Sequence, residues 1–483
     1  MKRTLEAKRA KKARARISVQ KKGRKRRPKA PPAPGGGGGP ITLQAMSPAM
    51  VERLFWRAGF GPRPEDRAAW TGAPVVDAVD HLLNTSATMA GPDPERDGNP
   101  LDPTADDTDL VLWWIDQMIR STNPFVERMC FFWHGHTANS RGDVSPPQLL
   151  QRQLDLFRSY SDFGANPDAN YRQMCKDMTA DPAMLRFLTG ETNLKGSPNE
   201  NYARELMELF CLGILDANGN PNYSEEDIKQ MAKALSGWTI DDSDPDNATS
   251  SFDQNRWFDG PKSFLGVFKN FKMEDTVDLV IDQPSHARFL ILKLWHEFIV
   301  SPPDDATLND LISGYVSSGH KLKPLLKRIL ADPAMYESID EPNMIKPPIV
   351  YVVGAMRALG LSVTDDLPVD YLGEMGQTPL FPPTVAGWEG GLAWLNTNTA
   401  LARFDFIGQL LDSSDIDDVL GETATAAYDR AFAAVGAPWL AAGTHQAIRD
   451  TANQAKNKSQ DDRKQRQILL QALMLAGPDA QVM

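Results

Sequence analysis

Pro198-Asn199-Glu200-Asn201-Tyr202-Ala203-Arg204-Glu205-Leu206-Met207-Glu208-Leu209-Phe210 is the stretch that sets the fold class of this chain. Tyr202, Ala203, Leu206, Met207, Leu209 and Phe210 recur at the spacing of an amphipathic helix. Ser197 reads as the N-cap, Pro198 as the first helical residue and Glu200 as the third, a capping box with the favoured proline. Gly213 is placed to end the helix. Glu200, Arg204 and Glu208 then share one polar face, with Glu205 a further acid on the same short element.

That face has two readings. In one, the spacings of four residues make surface ion pairs of about 0.2–0.5 kcal/mol each. In the other, Arg204 holds ionised carboxylates in a partly buried cleft, where Glu205 or Glu208 binds a metal or moves a proton. The polar, glycine-flanked loop Gly190-Glu191-Thr192-Asn193-Leu194-Lys195-Gly196 feeds the helix N-terminus, where anions are favoured. Glu200, Arg204, Glu205 and Glu208 are therefore the candidate catalytic residues.

Phe131-Phe132-Trp133-His134-Gly135-His136 holds two of the seven histidines. Phe125, Met129, Phe132 and Trp133 are helically spaced, and Gly135 is a natural C-cap, so the histidines are expected to straddle a helix end. Inside a continuous helix, residues two apart point about 200° away from each other and cannot share an ion. At a helix end, His136 can swing back beside His134. The pair would then form a two-histidine arm for a divalent ion such as zinc, iron or manganese, completed by carboxylates from elsewhere. The plainer alternative is two packed rings with one hydrogen bond each.

Helix signals dominate the rest of the chain. Asp181-Pro182 and Asp332-Pro333 each set an N-cap aspartate before a first-turn proline, and Ser224-Glu225-Glu226-Asp227 opens another helix that Gly237 closes. Helical patterns cover about 286–299, 322–331, 346–359, 399–411, 422–434 and 460–476. No region alternates like a set of neighbouring strands. The expected fold is mainly α: one large multi-helix domain over 44–483 with at most a small β-hairpin, placed within 238–268. Gly387-Trp388-Glu389-Gly390-Gly391-Leu392-Ala393-Trp394 pairs two tryptophans with glycine turns, which suits either close packing or the flat face of a sugar or aromatic ligand.

With these segments in hand, the chain resembles the bacterial family catalogued as domain of unknown function 1800. The matching motifs are Leu54-Phe55-Trp56-Arg57-Ala58-Gly59-Phe60-Gly61-Pro62, Phe132-Trp133-His134-Gly135-His136, Asp181-Pro182-Ala183-Met184-Leu185, the run from Lys195 to Phe210, Ala234-Leu235-Ser236-Gly237-Trp238, and Gly376-Gln377-Thr378-Pro379-Leu380-Phe381-Pro382-Pro383-Thr384-Val385-Ala386-Gly387-Trp388. The resemblance implies a largely helical protein, frequent export, and a sulfatase-like neighbour as partner; it carries no reaction. One motif departs. Family members commonly place His-Asp just before Gly-Pro-Lys, where this chain reads Trp257-Phe258-Asp259-Gly260-Pro261-Lys262.

Composition bounds the rest. At 483 residues, 41% hydrophobic and 24% charged, the chain can bury a large core, and no apolar run reaches the 18 or more residues of a membrane span. Cys130, Cys175 and Cys211 sit among apolar neighbours and read as buried free thiols. Residues 1–40 carry 15 Lys or Arg against Glu6, while the remainder carries 37 basic and 62 acidic residues. A basic leader, expected to be disordered over 1–43, thus precedes an acidic body. Its Lys21–Arg27 cluster suits contact with polyanions, and it lacks the apolar stretch of a signal peptide, which points to the cytoplasm. Two function classes follow: a metal-assisted or polar-site enzyme of hydrolase type, built on His134, His136 and the Glu200–Glu208 helix, or a noncatalytic scaffold acting with a sulfatase-like partner.

Overall fold

The computed structural model describes residues 44–412 and 416–483. The expectations about the basic leader concern residues outside that range. Among the described residues there are twenty α-helices and three two-stranded antiparallel ladders. Two ladders, Trp238–Asp241 with Thr249–Phe252 and Lys262–Phe264 with Val267–Lys269, occupy the region expected to hold a hairpin; the third is the two-residue pair Glu95–Arg96 with Asn99–Pro100.

The helices form where caps and apolar periodicity coincide. Asp181 accepts from the Met184 amide at 2.9 Å and opens Pro182–Phe187. Ser224 and Asp227 close a capping box at the head of Glu225–Ala234. Asp332-Pro333 starts only the short 3₁₀ turn Pro333–Tyr336. The six helical patterns expected near 286–476 appear as Pro284–Phe298, Leu322–Leu330, Pro348–Ala358, Thr397–Asp412, Ala424–Ala434 and Gln460–Ala476. One cluster of buried side chains runs from Met46 to Met483. No helix among the described residues is long and apolar enough to cross a membrane.

The deciding stretch begins later than its sequence suggests. Asn199 donates its amide to Asn193 Oδ1 and accepts the Asn201 amide, which keeps 197–200 out of the helix; the α-helix is Asn201–Glu205. It continues as a turn of π-helix, Leu206–Cys211, and ends at Gly213 with φ +74°.

Candidate functional site

A helix end leaves its last carbonyls without partners, and burial makes that costly. Here the π-turn aims three consecutive carbonyls into the interior, where side chains from other elements take them. Leu209 O accepts from Lys293 Nζ at 3.2 Å. Phe210 O accepts from Tyr171 Oη at 2.7 Å and His136 Nε2 at 3.1 Å, and Cys211 O accepts from His286 Nδ1 at 3.0 Å. His286 Nε2 is 3.1 Å from Tyr315 Oη. Because Tyr171 spends its single proton on Phe210, His136 must carry its proton on Nε2 for the contacts to be satisfied; its Nδ1 keeps a lone pair with no partner.

His136 thus completes a helix terminus. The Pro124–His136 helix does not end at Gly135 but runs through both histidines, with Thr137 as its C-cap. His136 therefore does not swing back, and the two rings diverge, which overturns the expected two-histidine arm. His134 is fully buried against Trp114, with ring centroids 5.2 Å apart in a T-shape, and Trp388 at 5.7 Å; neither of its nitrogens has a partner. Burial holds it neutral, its pKa lowered to about 3. Burial, with the Lys293 charge as the next cause, also pushes His136 well below the ordinary histidine value. Among the described residues no three His, Cys, Asp or Glu side chains converge as a metal ion requires, so the residues present do not fit a divalent ion at this place.

The carbonyl of Gly135, inside the helix, is covered by a second glycine. Gly387, at φ +76°, packs on its backbone so closely that a Cβ there would collide with the Gly135 carbonyl oxygen. That contact joins two motifs more than two hundred residues apart and lays Trp388 on Phe131, centroids 5.6 Å and planes 17° apart. Phe132 stacks on His136 at 5.8 Å and 8°.

Around this junction opens a cleft of about 800 Å³. Its aromatic wall includes Phe131, Phe132, Trp388 and Trp394, and the Pro284–Phe298 helix supplies Lys293, His296 and Glu297. Glu297 is neutralised by Arg128 at 2.6 Å. Among the described residues Lys293 has no carboxylate partner; burial lowers its pKa to about 8, and its charge faces the negative end of the Leu206–Cys211 turn. The sequence alone assigns no role to Lys293, His296 or Glu297. The available signal was Lys293-Leu294-Trp295-His296-Glu297, which sets Lys293 and Glu297 on one helical face.

Of the six sequence candidates, His136 alone borders the cleft. Glu200, Arg204, Glu205 and Glu208 are half-exposed. Arg204 pairs with Glu225 at 2.8 Å and Glu200 at 3.3 Å, and those acids raise its pKa, the Glu225 hydrogen bond most. Glu205 is shifted up, first by burial and then by the Glu208 charge. Trp257, standing in place of the family's histidine, is a packed residue: it donates to Ala234 O at 3.2 Å and lies 4.5 Å from the buried Lys262 amine. It does not border the cleft. The three cysteines are free and buried, as expected.

Fold and site together define a mainly helical protein with an aromatic cleft bordered by His136, Lys293, His296 and Glu297. Residues 53–482 match the family described as protein of unknown function (DUF1800), and the chain belongs to that family. No curated protein and no solved structure matches it.

Proposed function

We propose that the protein binds an acidic sugar unit in the Trp388 cleft. A single observation carries this reading: flat aromatic faces and an amine without a carboxylate partner line one cavity, with the Arg128–Glu297 pair and the side chains of His296 and Asn343 on its walls. Sugar rings present an apolar face that stacks on tryptophan, while their hydroxyls need polar side chains and their acidic group a cation. The sulfatase-like partner implied by the family resemblance fits the same chemistry, since sulfate esters of sugars are anionic ligands of this kind. The hydrolase form of the reading adds a reaction at the bound sugar. The scaffold form needs only the binding. The Glu200–Glu208 face stays outside this proposed site in both forms.

Titration of the full chain with glucuronate and with glucose, followed by calorimetry, tests it. Glucuronate binds and glucose binds at least about tenfold more weakly. Lys293→Met abolishes that preference, Trp388→Ala weakens both sugars, and affinity falls as pH rises through about 8, where Lys293 discharges. Equal binding of the two sugars, or none, rejects the acidic-sugar reading.

A further inference from the structure

The Leu54–Pro62 motif takes no part in the cleft, yet it builds a second pocket on the far side of the Asn343–Pro347 segment. Trp56 is its wall. The indole is held in a slot that two glycines make possible: a Cβ on Gly61 or on Gly354 would collide with the ring. Trp56 Nε1 donates to Glu52 Oε2 at 2.9 Å, and Arg67 Nε donates to Glu52 Oε1 at 2.5 Å, so both oxygens of that acid are engaged.

One amine and one guanidinium nitrogen in this pocket lack hydrogen-bond acceptors among the described residues. Lys346 is 4% exposed, its Nζ lies 3.4 Å from the centroid of the Trp56 ring, and among the described residues the amine has no hydrogen-bond partner. Arg67 Nη1 is buried and also unpartnered. Arg53 and Arg357 complete the charged lining, each donating to backbone carbonyls. Four cations thus face two acids, Glu52 and Asp479, and Asp479 already accepts from the Ala441 amide. This is a cationic pocket in a chain whose net charge is −11.

Burying a cation without an acceptor is unfavourable, and such groups concentrate where a ligand supplies the missing charge. The burial that pulls the Lys346 amine down to about 7, opposed by Glu52 and Asp479 and reinforced by Arg403 and Arg67, marks the same deficit. The enclosed volume is about 70 Å³, near half of the ~150 Å³ that accepts benzene, so the ligand has few non-hydrogen atoms.

We propose that this pocket binds a small organic carboxylate, which accepts hydrogen bonds from Lys346 Nζ and Arg67 Nη1 and sets its short apolar tail against the apolar lining of Val435 and Leu440. The site is separate from the cleft and does not depend on the sugar reading.

The test uses the full chain, with acetate, propionate and butyrate as probes and butyramide as a neutral isostere, at constant ionic strength. At least one carboxylate raises the melting temperature in a concentration-dependent way and gives a calorimetric Kd of about 1 mM or tighter, while butyramide does neither. Lys346→Met removes a charge and keeps the bulk; it stays folded by circular dichroism and binds the carboxylate at least about tenfold more weakly. Arg67→Gln weakens binding in the same direction, a second handle should the first variant misfold. The proposal is overturned if butyramide stabilises as well as butyrate, if none of the three carboxylates stabilises the wild type up to about 10 mM, or if both variants bind as the wild type does.

Discussion

The polar face and the C-terminal carbonyls of the Asn201–Cys211 element contribute to the molecule in opposite ways. Its polar face, with Glu200 just before it, carries Arg204, Glu205 and Glu208, every one a residue type that does chemistry, and the fold sets them half-exposed, with Arg204 salt-linked to Glu200 and Glu225. Its C-terminal turn carries Leu209, Phe210 and Cys211, with no catalytic side chain among them. Yet their carbonyls hold His136 and Lys293 at the cleft and Tyr171 and His286 in the interior. Charged side chains advertise themselves, whereas a buried helix terminus recruits chemistry through backbone atoms that every residue has.

Acid should separate the two most strongly. His134 and His286 are neutral down to about 3 because burial penalises their charged forms, and His136 is held lower than usual for the same reason. In the unfolded chain each protonates near 6.5, so below that pH the unfolded state binds more protons, and stability falls as pH drops from about 6.5 toward 3. By pH 5 each of His134 and His286 costs about 2 kcal/mol relative to pH 7. Urea denaturation at the two values measures it, and His134→Phe should recover about one histidine's share. A variant that keeps the full pH slope would break the assignment of His134 as a neutral core ring.

Gly387→Ala comes next. The new methyl meets the Gly135 carbonyl and strains a left-handed backbone, so a loss of roughly 2–4 kcal/mol is expected, together with loss of ligand binding in the cleft. Full stability in chemical denaturation would show that the two motifs are not locked together there. Smallest is Arg204→Ala: a half-exposed, solvent-screened ladder is worth under about 1 kcal/mol, and glucuronate affinity should not move. A tenfold affinity loss would return the Glu200–Glu208 face to the site.

Much of the fold was legible before any coordinates. Asp181, Ser224 and the apolar stripes of Pro284–Phe298 and Gln460–Ala476 act within one or two turns, and local capping and periodicity are local information. The start of the deciding helix was misread because Asn193, outside the capping pattern, captures the Asn199 amide. His136 borders the cleft, whereas His134, two residues earlier on the same helix, does not. Trp388 and Trp394 were noticed but could not be placed.

The sequence by itself determined the helical class, the family and the residues worth watching, because spacing along a helix fixes which side chains share a face. Only the tertiary structure decided which of those faces water covers and which a cleft claims. That choice rests on contacts such as Gly135 with Gly387 and Lys293 with the Leu209 carbonyl, made between residues far apart in the chain and, in both cases, through backbone atoms that leave no mark in a residue's name.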